Sequence, residues 1–233
     1  MNERVLVIGG TRGTGFQIVA LLLKGGYRVR AMARDRDQAK RKLSAAVEVV
    51  GGDITKPDTL PDVIHDVDHI IFTAGVTKRP AGERLIIATV YDGVKNTLTA
   101  ARASGFVGRF LYMTSIGVTK SSLAATALNL VKRNTLHWRR RAEGEIRSSG
   151  FRYTIIRAGV LTNSPGGRRA IEVSQEDYPL AFGRRIGRAD VAEAIVQALM
   201  YPGTERATFE VVWARGARRE GWDVLFGRVK PDA

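Results

Sequence analysis

The chain has no cysteine among its 233 residues. Thiol catalysis, cysteine-bound zinc and disulfide crosslinks are excluded together. Long apolar runs are missing too. The longest uninterrupted stretch, Ile18 to Leu23, falls far short of the ~20 residues that span a bilayer. Proline is sparse, at 7 residues, and no low-complexity tract, internal repeat or linker divides the chain. There is no Gly-x-Ser-x-Gly elbow, no phosphate loop ending in Gly-Lys-Ser/Thr, and no His-Glu-x-x-His. Acids are in deficit, 23 against 37 Lys and Arg, which leaves a formal charge of +14. Such a field attracts anions, whether nucleotide, nucleic acid or acidic membrane. The cations are spread along the chain, so they point to an anionic ligand without naming it. Met1-Asn2-Glu3-Arg4 leads directly into Val5-Leu6-Val7-Ile8 with no secretory signal, and a cytoplasmic location is expected.

A hydrophobic content of 44% is too high for a disordered chain. A chain this long buries roughly 70% of its unfolded surface and needs no metal or disulfide staple. Short β-branched runs alternate with helical stretches, the pattern of a parallel sheet with crossover helices. Strands are expected near 4–8, 27–33, 46–50, 69–73, 109–114, 153–157 and 207–212. Helices are expected near 14–24, 36–43, 58–65, 83–104, 126–148, 189–200 and 221–227. Most strands are apolar on both faces, as when helices cover a sheet on two sides. The segments 76–83 and 162–188, rich in Gly, Pro, Arg and Ser, read as loose loops over the ligand-side edge of the sheet.

The strongest motif is Gly9-Gly10-Thr11-Arg12-Gly13-Thr14-Gly15, set between an apolar strand and the apolar helix that follows. Gly9 permits a tight turn, Gly13 lets a diphosphate approach, and Gly15 lets the helix pack closely on the strand. The helix N-terminus offers unpaired amides to phosphate. Its Gly-x-x-x-Gly-x-Gly spacing differs from the commoner Gly-x-Gly-x-x-Gly. Glycines that merely make a tight junction are the bland alternative, but the strand-turn-helix context favours a dinucleotide. The second strand ends in Ala33-Arg34-Asp35-Arg36. An acid there favours NAD, and an arginine favours the 2′-phosphate of NADP. Arg34 comes first and Arg12 reaches the same corner, so NADP(H) is preferred over NAD(H), with Asp35 as contrary evidence. Arg34 as a plain solvated charge is the alternative. Asp53 suits either the adenine amino group or a helix-capping turn, with Ile54 expected to pack on the ring. Thr73-Ala74-Gly75, ending the fourth strand, would let backbone approach the adenosine ribose.

Gly-Asp-Ile-Thr (52–55), Phe-Thr-Ala-Gly (72–75) and Gly-Val-Lys-Asn (93–96) extend the pattern, as do Tyr-Met-Thr-Ser-Ile-Gly (112–117), Arg-Arg-Arg-Ala-Glu (139–143), Tyr-Thr-Ile-Ile-Arg-Ala-Gly (153–159) and Arg-Ala-Asp-Val-Ala-Glu-Ala (188–194). With the glycine loop, they resemble the atypical short-chain dehydrogenase/reductases, in particular an NAD(P)H-binding branch that is NmrA-like or biliverdin-reductase-B-like. That resemblance implies a single Rossmann-type domain over residues 1–233, an α/β doubly wound parallel sheet with helices on both faces. It implies a nicotinamide above the fourth to sixth strands, beside Thr114, Ala158 and Gly159. Ser115 takes the place of the family's catalytic serine. The lysine of the family's Tyr-x-x-x-Lys falls on Arg139 and its tyrosine on Thr135. Arginine keeps a charge that would hold ribose or phosphate, whereas threonine does not serve as a phenol does.

His65-Asp66-Val67-Asp68-His69 has the composition of a metal site, but it runs from a helix end into a strand and no metal is expected. His137 is a weaker candidate proton donor. Trp138-Arg139-Arg140-Arg141 mixes an aromatic with cations, yet on a helix the four residues point around more than half a turn. Nucleic acid is therefore disfavoured as a partner. Trp213, Trp222 and Phe226 read as a closing helix over the sheet. The resulting expectation is an NADPH-dependent oxidoreductase acting on a small carbonyl, quinone or related acceptor. A non-catalytic NADP(H)-binding redox sensor or assembly factor is the alternative.

Overall fold

The computed structural model describes residues 3–76, 82–214, 216 and 219–232. In chain order the first half comprises β1 (Arg4–Ile8), α1 (Gly13–Lys24), β2 (Arg28–Ala33), α2 (Arg36–Lys40), β3 (Glu48–Gly51), α3 (Pro61–Ile64), β4 (His69–Phe72), α4 (Glu83–Ile86) and α5 (Gly93–Ala103). A π-helical stretch, Ile87–Asp92, joins α4 to α5. The second half comprises β5 (Arg109–Ser115), α6 (Leu123–Val131), α7 (Thr135–Arg147), β6 (Arg152–Ala158), β7 (Val160–Thr162), β8 (Ile171–Ser174), β9 (Arg185–Gly187), α8 (Arg188–Met200), β10 (Ala207–Trp213) and α9 (Trp222–Phe226).

The main sheet has the order β3-β2-β1-β4-β5-β6-β10-β8. Its strands run parallel except β8, which pairs antiparallel with β10 at the edge. Alternation along each strand feeds two cores. Val5 and Val7 of β1 pack with Ile18 and Leu22 of α1, while Leu6 and Ile8 meet Leu60, Val63 and Ile64 on the opposite face. Burial on both faces explains why the strands read as unbroken apolar runs. The chain order reverses between β1 and β4, so their carboxyl ends diverge there and open a crevice.

All seven expected strands form within one or two residues of their expected limits. The segment 162–188 is more ordered than its composition suggests, because it carries β8 and β9, and β9 pairs with β7. Strands of three or four residues are too short to reveal a period. The helix expected over 126–148 is two helices, broken where Arg133 and Asn134 take φ of 44° and 59°. That break is held from both sides, as Asn129 Oδ1 accepts the Leu136 amide and Asn134 Nδ2 donates to Glu83. The helix expected over 58–65 shrinks to a 3-10 turn and α3, each opening on a proline. Within the expected loop 76–83, residues 77–81 lie outside the described residues.

Two buried arginines tie strands to their neighbours, Arg109 at the start of β5 and Arg157 near the end of β6. Arg109 donates to the Ala198, Leu199 and Tyr201 carbonyls and so closes the C-terminus of α8. Burial brings its pKa down to about 10. Arg157 is held by Glu143, Glu210 and Asp177.

Candidate functional site

The glycine turn sits where β1 and β4 part. Gly9 has φ +90°, and a Cβ on it would lie 2.8 Å from the Ala74 nitrogen. A Cβ on Gly15 would lie 2.2 Å from the Gly9 carbonyl oxygen. These two glycines therefore seal the turn against β4, where Thr73 Oγ1 donates to the Ile8 carbonyl at 3.1 Å. Gly13 differs. Its φ is +56°, and a Cβ there would meet only the Arg188 side chain, at 3.8 Å. One glycine of the three thus faces open space at the mouth of α1, as a diphosphate cradle requires.

A cleft of about 640 Å³ runs from this turn across the carboxyl ends of β2, β1, β4 and β5. That volume lies within the range of small-molecule sites. It brings together Gly9, Thr11, Arg12, Gly13, Thr14, Gly15, Arg34, Asp53, Ile54, Thr73, Ala74, Gly75 and Arg139. Sequence reasoning missed Met32, Val76, Leu85, Thr89, Met113, Leu161 and Arg188, all of which also line it. Met32 and Met113 lie in the carboxyl-terminal halves of β2 and β5, a position that fold topology marks as ligand-facing. Arg188 lies in the Arg-Ala-Asp-Val motif and opens α8. Its guanidinium donates to Asn163 Oδ1 at 2.7 Å.

At the β2 end, Asp35 and the two arginines take different positions. Asp35 caps α2, its carboxylate accepting the Gln38 amide at 2.8 Å, and it does not line the cleft. Arg34 and Arg12 do line it, are exposed, and form no hydrogen bond or ion pair among the described residues. Asp53 holds a turn and also borders the cleft. Its Oδ1 accepts from the Thr55 amide and hydroxyl, each at 2.9 Å, while the residue borders the cleft. Ile54 is buried with its side chain against α5, where its Cδ1 would stand 2.7 Å from a Cβ on Gly93.

At the opposite end, Arg139 reaches from α7 toward Gly75 and donates to the Met113 carbonyl at 3.4 Å. Beneath it lie the Tyr112 hydroxyl and Thr114 Oγ1, both buried without a hydrogen-bond partner among the described residues. Burial pushes the Tyr112 phenol up to about 12, against the opposing pull of Arg139.

Four expected residues stand apart from the cleft lining. Ser115 ends β5 with its hydroxyl donating to the Ile116 carbonyl at 3.1 Å. Thr114 faces the core. Ala158 is buried in β6. Gly159 admits the Arg184 carbonyl, which would stand 2.6 Å from a Cβ. His137 is exposed and rests edge-on against Trp138. A literal Tyr-x-x-x-Lys does occur, at Tyr91 and Lys95, away from the family position. The Tyr91 hydroxyl donates to Glu145 at 2.7 Å, which raises its pKa and ties it to α7. Neither residue lines the cleft.

Four guanidinium groups and one carboxylate therefore surround a glycine-lined crevice. A second hollow, of about 410 Å³ beside β8 and α9, lacks any glycine turn or helix N-terminus. The larger cleft suits an extended, multiply anionic ligand. Residues 9–202 match the NAD(P)H-binding family. The chain belongs to that family. Sanguinarine reductase from Eschscholzia californica is 30% identical over 84% of this chain and 81% of that protein. A photosystem II assembly factor from Trieres chinensis is 26% identical, over 91% of this chain and 64% of its own length. A Bacillus halodurans structure, provisionally described as an NAD-dependent epimerase/dehydratase, superposes with a TM-score of 0.78. It is 24% identical and covers 91% of this chain and 95% of that one, which shows the shared fold.

Proposed function

We propose that this NAD(P)H-binding protein is an NADPH-dependent reductase of small carbonyl, quinone or related acceptors. The observation that carries the cofactor choice is the corner at the end of β2. Arg34 and Arg12 border it with no hydrogen bond or ion pair among the described residues, while Asp35, an acid that would favour NAD, is turned away to cap α2. Two guanidiniums suit a dianionic 2′-phosphate, to which they donate charge-assisted bonds. Gly9, Thr11, Gly13, Thr14 and Gly15 then border the diphosphate, and the amides opening α1 donate to it. Thr73, Ala74 and Gly75 lie along the ribose, and Asp53 and Ile54 lie near the base. Arg139 stands at the nicotinamide end, where its charge holds the nearby ribose or an acceptor oxygen.

When bound, the nicotinamide supplies a hydride; the acceptor takes it together with one proton. Among the described residues no tyrosine lines the cleft, and in this reading solvent entering the open end delivers that proton. Met113, Leu161 and Leu85 make the acceptor end apolar. The relation to a plant reductase supports turnover.

The second reading, an NADP(H)-binding sensor or assembly factor without turnover, is favoured by the Ser115 hydroxyl, which is spent on the Ile116 carbonyl. Following NADPH absorbance with quinones, flavins and aldehydes separates the two. Consumption with any acceptor supports the reductase. Tight binding with no consumption across the panel supports the sensor. Arg34→Glu should weaken NADPH by about tenfold to a hundredfold and NADH far less. Equal losses would remove the 2′-phosphate assignment.

A further inference from the structure

We propose that α6 is a contact surface for an anionic lipid bilayer. Leu123, Leu130 and Val131 are 92%, 78% and 71% exposed, among the most exposed large apolar side chains in the molecule. With exposed Ala127 they stand at i, i+4, i+7 and i+8, which is one stripe of a helix. The opposite side, Ala125 and Leu128, packs on Leu136, Tyr178 and Leu180, so the helix is seated with its apolar stripe outward. Phe182, 69% exposed, extends the patch, because Ser122 Oγ donates to the Leu180 carbonyl and draws that segment to the start of α6.

The surroundings are mainly basic, with one acid near the helix end, Glu83, which accepts from Asn134 and Trp138. From Ile116 to Ala142 there is no acid. Lys120 precedes the helix, Arg133 follows it, and Arg185 lies beside Phe182; all three are exposed. Of the acids on the adjoining segment, Glu172 accepts the Tyr178 hydroxyl and Asp177 pairs with Arg157. Glu176 offers its carbonyl to Lys120. An exposed apolar helix stripe edged by cations, on a molecule of formal charge +14, matches the acyl-headgroup boundary of an anionic leaflet. A second copy of the chain would bring the same cations against one another.

The test is flotation with vesicles of pure phosphatidylcholine and of phosphatidylcholine mixed with phosphatidylglycerol. The wild-type protein should bind the mixed vesicles, not the neutral ones, and lose binding as salt rises. Leu123→Asp/Leu130→Asp should lower the partition by about tenfold or more, since each leucine loses its burial in the leaflet. Its melting temperature and NADPH affinity should match wild type, which separates this result from the cofactor assignment. Lys120→Glu/Arg133→Glu should bind less tightly while keeping the leucines. No binding of wild type to mixed vesicles overturns the proposal. So does an aspartate variant that binds as wild type, or light scattering that shows a dimer which the aspartate substitutions dissolve.

Discussion

Gly13 and Gly15 stand two residues apart and do opposite kinds of work. Gly15 has no room for another atom, since a Cβ would press on the Gly9 carbonyl and on Thr73. Gly15→Ala should therefore destabilise the fold by about 3 kcal/mol, at the upper end of overpacking costs, and lower the melting temperature. Gly13→Ala meets no backbone and suffers only the left-handed φ, a cost of about 1–2 kcal/mol. Its main effect should be a loss of NADPH affinity, read by fluorescence titration. If the two variants changed places, with Gly13→Ala the less stable, the division of labour drawn here would be wrong. Tyr112 offers a contrasting case. Its hydroxyl is buried close to Thr114 and Arg139, with no well-formed hydrogen bond for it or for Thr114 among the described residues. Tyr112→Phe removes an unsatisfied group without changing the ring, so stability should hold or rise by up to about 1 kcal/mol. A loss of that size in a denaturant titration would mean that the hydroxyl is hydrogen-bonded in solution.

Pairs of elements carry the pH dependence. His69 on β4 faces β5, where its Nδ1 accepts the Arg109 amide at 3.2 Å. Burial holds its pKa below the ordinary 6.5, against the attraction of Glu3 and Asp68. The folded protein then binds fewer protons than the unfolded chain in the window just below 6.5. Stability present above that value is lost as the pH falls toward the depressed folded pKa. His69→Asn should flatten this part of the profile in urea melts, and an unchanged slope would assign it elsewhere. Element limits also show what the sequence discloses. Strands buried on two faces announce themselves as apolar runs, and the glycine turn, Arg34 and Thr73–Gly75 were legible from their places at strand ends. The split at Arg133 and Asn134 was not, because neither residue type demands positive φ and side-chain bonds to other elements hold the break. For Ser115 the motif gives the position at the end of β5, but the direction of its hydroxyl is set by the turn to Ile116. Arg188 and Leu161 reach the cleft only through tertiary contacts of short strands and loops.

On the scale of the whole molecule, a formal charge of +14 surrounds a cleft that already holds four guanidiniums. The long-range field should speed arrival of a polyanionic dinucleotide, and the association rate should fall as salt rises. Stopped-flow fluorescence at increasing sodium chloride checks this, with a flat dependence counting against it. The fold supplies the geometry that makes this charge selective, because the sheet reverses at β1 and β4 and aims the first helix into the opening. What remains is a comparison between two ligands that differ by one phosphate. Calorimetric titration of the wild-type protein with NADPH and with NADH addresses it most directly. NADPH should bind about tenfold tighter or better if Arg12 and Arg34 hold its 2′-phosphate. Equal affinities, or a preference for NADH, would contradict it.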